Sequence, residues 1–163
     1  MPKSGSLTGG GVKQATSKKG ALTCGEVGTY RGMKKRKTNK QNRDHVPATS
    51  SMLAAGAKSK HAKGLKGARL KCYKKFIKMD AQTIAIPYGI HKKYSRTYGG
   101  KGGQTRINED VKNLKKAAGD DFAEVEPKLS ADCQKKYNEA KKKILAQLPD
   151  KFFKECRDKA MKC

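Results

Sequence analysis

Three histidines occur in 163 residues: His45, His61 and His91. Imidazole is the side chain whose ordinary pKa lies nearest neutrality, so each is a candidate general base. His45 has a carboxylate directly before it, in Arg43-Asp44-His45-Val46-Pro47. Acids are scarce in this part of the chain. Residues 1–106 hold 25 basic side chains and only Glu26, Asp44 and Asp80 as acids. A carboxylate beside an imidazole, with a second imidazole, His91, about 45 residues on, suits hydrolysis of a phosphodiester. That reaction needs a base for water, a divalent cation for the charge that develops on phosphorus, and cations to hold the substrate. His45 is the base in this reading, and Asp44 and His91 are the metal ligands. Arg96 is the guanidinium matched to the scissile phosphate, because its fork fits phosphate bidentately. The ion is magnesium first, with manganese, nickel or zinc compatible with imidazole plus carboxylate. A bland reading stands beside each assignment: Asp44-His45 as a turn, His91 as a surface residue of a basic loop, and His61, among lysines, as solvated.

The elements that must position these residues are legible in outline. Val27 to Tyr30 and Thr83 to Ile86 read as short strands, the second stopped by Pro87. Thr49 to Ala57 reads as a short helix capped by Thr49 or Ser50, and Leu65 to Met79 as a stronger one. Gly99 to Gly103 reads as a loop without the phosphate-binding Gly-Lys-Ser/Thr pattern. Further on, Ile107, Val111 and Leu114 line one helix face, with Glu109 and Asp110 placed near its start. Ser130 caps a long helix running to Leu148, and Asp150 caps a last one. The fold class expected is α+β. It divides into a flexible basic lead (residues 1–20), a nuclease-like core (21–106) and a helical tail (107–163) packed on it.

Charge argues for the partner. The whole chain carries a formal net charge of +25, and hydrophobic residues are 35% of it. Such an excess attracts polyanions, nucleic acid above all. Lys34, Lys35, Arg36 and Lys37 form the densest cluster, and Arg43, Lys92, Lys93, Ser95 and Tyr98 flank the histidines. All are candidate nucleic-acid contacts. The longest mostly apolar stretch, Ala81 to Ile90, falls short of the roughly 20 residues that span a membrane. Residues 1–11 lack the apolar segment of a signal peptide. Five cysteines, none in a Cys-x-x-Cys pair, give no zinc ribbon. They read as small buried residues, or with Cys133 and Cys156, in helical patterns on either side of a turn, forming one bridge.

Arg43-Asp44-His45-Val46-Pro47 resembles the first motif of the HNH or His-Me finger (ββα-metal) nucleases. The stretch Ile84-Ala-Ile-Pro87-Tyr-Gly-Ile-His91-Lys-Lys-Tyr-Ser-Arg-Thr-Tyr98-Gly resembles the distal histidine motif of toxin-associated members. The resemblance covers roughly residues 24–106. It implies a small ββα-metal core with added helices, His45 as base, and Asp44 and His91 as ligands. It also implies an antibacterial toxin or effector that cleaves nucleic acid, DNA favoured over RNA, with an acidic cognate immunity protein. Such a protein leaves its cell without a classical signal peptide and acts in the cytoplasm of the target cell. The family places an asparagine between its two motifs to orient the base. Residues 46–90 contain none, so Gln82, Thr83 or a backbone carbonyl takes that role. Two other functions remain open: a non-catalytic basic nucleic-acid binder, and a metal-independent ribonuclease toxin using His45 and His91 as an acid–base pair.

Overall fold

A computed structural model describes residues 20–147 and 149–163. The fold is α+β, as the sequence implies: one small antiparallel sheet wrapped by helices. The strands are β1 (Val27–Thr29), β2 (Gln41–His45) and β3 (Gln82–Pro87), in the order β1-β3-β2. The helices are α1 (Tyr30–Lys34), α2 (Thr49–Lys58), α3 (Gly67–Asp80), α4 (Tyr88–Tyr94), α5 (Gly103–Lys112), α6 (Leu114–Val125), α7 (Ala131–Ala146) and α8 (Pro149–Ala160). The expected flexible lead lies almost wholly outside the described residues.

β3 is the central strand, and it is short, β-branched and apolar because both of its faces are covered. Thr83, Ile84, Ala85 and Ile86 are all fully buried. Ile84 and Ile86 point into a core with Val46, Phe122, Val125, Tyr137 and Ile144 from α6, α7 and the loop after β2. Ala85 packs the opposite way, against Leu22 and Met33. A second core joins α2, α3 and α8 through Met52, Tyr73, Ile77, Phe152 and Phe153. Each fully buried large apolar side chain contributes roughly 1.5–3 kcal/mol. The helices after residue 106 supply much of both cores. The expected division at 106/107 falls inside α5.

Several expected boundaries move for identifiable reasons. Residue 30 begins α1, which Thr29 caps by accepting from the Gly32 N–H. α2 starts at Thr49, but its N-cap is Ala48 and no side chain caps it. The helix expected through Ile107 and Leu114 breaks at Asn113, whose side chain accepts from the Lys116 N–H and starts α6. Glu109 and Asp110 therefore lie in the last turn of α5, not near a helix start. Ser130 caps α7 as expected. Asp150 sits inside the first turn of α8.

The cysteines pair differently from the bridge considered above. Cys24 joins Cys133, and Cys72 joins Cys163, with Cα–Cα distances of 5.4 and 6.7 Å. Cys156 is buried and free, and burial pushes its thiol up to about 12. Gly25 allows the first pairing. Its φ is +84°, and a Cβ there would come within 3.1 Å of the Cys133 carbonyl. Only glycine tolerates that combination of left-handed backbone and close approach.

Candidate active site

β2 and β3 pair with Asp44 opposite Ile84 and His45 opposite Thr83. Successive side chains on a strand point to opposite faces. Asp44 therefore faces α4, α6 and α7, and His45 faces α1 and α3. β2 lies at the sheet edge, so a cleft along that edge is reached from both faces. Such a cleft is present, about 390 Å³ in volume, and Asp44, His45 and His91 all line it. The remaining wall is Arg43 on β2, Ala48, Thr49 and Ser50 at the start of α2, and Thr97, Tyr98, Gly99 and Gly100 opposite. The uncapped first turn of α2 contributes backbone N–H groups and the positive end of a helix dipole to this wall.

His91 is carried by α4, which follows β3 directly. Its Nε2 lies 3.1 Å from Asp44 Oδ1, and both residues are buried, at 8% and 5% exposure. The Tyr98 ring packs edge-on against the His91 ring at 5.0 Å and so limits its orientation. The sequence thus brings together the two residues named as ligands. Two ligand atoms bound to one divalent ion at about 2.1 Å, with angles between octahedral and tetrahedral, lie roughly 3.0–3.4 Å apart. The observed pair fits that spacing. The carboxylate and imidazole atoms suit magnesium through zinc. Among the described residues no group of three His, Cys, Asp or Glu side chains is arranged to hold a metal, so the pair would leave most positions on an ion to water and substrate.

His45 is held by different neighbours. Its ring lies 4.7 Å from the Tyr30 ring, and Nε2 is 3.2 Å from the Lys78 carbonyl at the end of α3. A carbonyl only accepts, so Nε2 carries the proton and the lone pair is on Nδ1. Burial pushes the His45 pKa below its ordinary value, and the nearby Lys78 ammonium acts in the same direction. The Lys78 carbonyl and Asp44 oppose them. The result is a neutral imidazole of fixed tautomer near pH 7. The contact that orients the ring thus comes from a backbone carbonyl. No pattern in the sequence singles out residue 78.

Arg96 is placed differently from the phosphate-facing position expected. Its Nε donates to Asp121 at 2.8 Å and Nη2 to Asp110 at 2.8 Å. Arg106 donates to the other oxygen of Asp110 and to Ser50 and Ser51. This network fastens α5 and α6 to the start of α2 behind the cleft wall. Arg96 is a positioning residue here. Its two carboxylate partners differ: burial pushes Asp110 up, but the hydrogen bonds from Arg96 and Ser51 and the charges of Arg96 and Arg106 together outweigh it and hold Asp110 below the usual carboxylate range. Burial dominates at Asp121 and pushes it up to about 7, with Asp44 adding to the rise and Arg96 opposing it.

Other expected contacts divide in the same way. Arg43 donates to the carbonyls of Met33, Lys34 and Arg36, closing the end of α1. Arg36 is bound to Glu26 and to the Gly20 and Ala21 carbonyls. Ser95 is buried, with its hydroxyl 3.2 Å from Thr97 Oγ1. Tyr98 shares a 3.2 Å hydroxyl contact with Tyr88. Lys34, Lys35, Lys37, Lys92 and Lys93 are exposed and available to a ligand. His61, read as solvated, is half-buried with Nε2 2.9 Å from Asp150 Oδ1, tying the loop before α3 to α8.

No family model, curated protein or solved structure matches the chain.

Proposed function

We propose that the chain is a metal-assisted endonuclease, acting on DNA in preference to RNA, of the HNH or His-Me finger type. The observation that carries this reading is a strand–strand–helix unit, β2-β3-α4, that brings Asp44, His45 and His91 to one cleft. The tautomer of His45 supports it further. Nδ1 holds the lone pair that accepts a proton from the attacking water, and the Lys78 carbonyl keeps the ring in place as it becomes positive. Asp44 and His91 would hold the divalent ion. When bound, it would supply charge stabilisation at the scissile phosphate and acidify water. The open first turn of α2 offers N–H donors to a non-bridging phosphate oxygen on the same wall. Arg96 and Arg106 keep that turn fixed relative to β2. The metal is magnesium first, with manganese, nickel or zinc compatible.

The biological setting follows from the same reading: an antibacterial toxin or effector, neutralised by an acidic immunity protein and acting in the target cytoplasm. Two disulfides favour maturation in an oxidising compartment on the way. Among the described residues no helix is long and apolar enough to cross a membrane.

The 3.1 Å contact of His91 with Asp44 also favours a second reading, a metal-independent ribonuclease in which His91 is the acid and His45 the base. One experiment separates the two. Purified protein is incubated with supercoiled plasmid and with structured RNA, in magnesium, manganese, nickel or zinc, and in EDTA. Cleavage of DNA that EDTA abolishes is expected. Cleavage of RNA alone that survives EDTA selects the second reading. No cleavage in any ion leaves a basic nucleic-acid binder.

A further inference from the structure

A continuous row of uncompensated charge outside the cleft lies on α3. Lys71, Lys74, Lys75 and Lys78 follow the i, i+3, i+4, i+7 spacing of one helix face, and all four are exposed. None of the ion pairs among the described residues uses them. Asp80, the only acid of the helix, is occupied by Arg31 and Lys159. The stripe ends at Lys78, whose carbonyl meets the His45 ring. Seven residues of helix rise about 10.5 Å, which matches about three phosphates of one strand at about 3.4 Å each along a duplex axis.

We propose that this face of α3 is the docking track for a nucleic-acid backbone, leading a strand to the cleft at His45. The direction of travel rests on the nuclease reading; the docking does not. Charge complementarity selects the ligand. Lysine is a hydrated point charge suited to phosphate without sequence preference. Protein interfaces centre on apolar or aromatic anchors, and this face offers none exposed. Phe76, its nearest aromatic, is half-buried beneath Arg31 and Lys159. The basic face of α7 differs. There Lys135, Lys136, Lys142 and Lys143 are interrupted by exposed Asp132 and Glu139.

The test is fluorescence anisotropy with a labelled 20-base-pair duplex in EDTA, from 50 to 300 mM KCl. It compares the wild-type chain, Lys71→Gln/Lys74→Gln/Lys75→Gln/Lys78→Gln, and the control Lys135→Gln/Lys136→Gln/Lys142→Gln/Lys143→Gln. Both variants lose four charges at exposed positions. The α3 variant should bind at least tenfold more weakly at 100 mM KCl. Its slope of log K against log salt should flatten by about three, at about −0.9 per phosphate contact. The control should stay within threefold of wild type. Equal losses in both variants would make the effect one of overall charge and overturn the track. Unchanged binding by the α3 variant would also overturn it, and would leave the face for an acidic protein. Weakened binding by the α3 variant alone, together with no cleavage by the wild type in any divalent ion, upholds the track and sinks the nuclease reading.

Discussion

Replacing His45 separates chemistry from architecture, because the structure gives the ring two contacts of known size. One is the hydrogen bond to the Lys78 carbonyl and the other is the contact with Tyr30. A hydrogen bond contributes about 0.5–1.5 kcal/mol and an aromatic pair about 0.5–1.5 kcal/mol. His45→Ala should thus cost about 1–3 kcal/mol of stability, a fall in Tm of roughly 2–4 °C per kcal/mol for a chain of this size. The loss of a general base is larger, about 10²–10⁴-fold in rate, or roughly 2.7–5.4 kcal/mol of transition-state stabilisation. His45→Gln refines the experiment. Its amide nitrogen reaches the position of Nε2 and keeps the bond to residue 78, with no basic nitrogen in the place of Nδ1. Initial rates of plasmid nicking, measured well below the Tm of the weakest variant, should fall at least 100-fold in both variants. Anisotropy with labelled duplex in EDTA should stay within threefold of wild type, because a neutral imidazole adds little to binding among so many cations. A folded His45→Gln protein that nicks at the wild-type rate would refute the assignment of His45. Parallel loss of binding and cleavage would assign the residue to docking.

Three further outcomes follow from the site. Asp44→Asn and His91→Ala should each weaken manganese binding at least tenfold by titration calorimetry and lower cleavage with it; unchanged affinity in both would move the metal elsewhere. For pH, burial sets the folded His45 pKa below the ordinary imidazole value of about 6.5. As pH falls, the unfolded chain takes up that proton first, so burying neutral His45 costs stability only below about pH 6.5, and the acid limb of kcat/KM should fall below pH 6.5; a limb above pH 7 would contradict the buried base. The disulfides close spans of 109 and 91 residues, for which chain entropy gives up to roughly 4–5 kcal/mol each, so reduction under native conditions should lower the Tm by more than 10 °C; an unchanged Tm would contradict that contribution.

The mixed α+β class, the main helices and the central strand are legible in the residues alone. Their signals are local: helical spacing in 65–79, a β-branched run at 83–86, and Ser130 before α7. The sequence also singled out Asp44, His45 and His91, which line one cleft, because scarce acids and histidines stand out against so much lysine. Packing sets what each charged side chain is free to do. Arg36, Arg43 and Arg96 look alike in sequence to cations that meet phosphate, yet each is held by carboxylates or carbonyls of neighbouring elements. The break at Asn113 turned one expected helix into two and moved Glu109 and Asp110 away from a helix start. Cysteine pairing depended on which helix came to rest beside Cys24, and spacing carries no record of that. The contact that fixes the tautomer of His45 comes from a backbone carbonyl, a group every residue possesses. Only the packing of α3 against the edge of the sheet chose the carbonyl of residue 78.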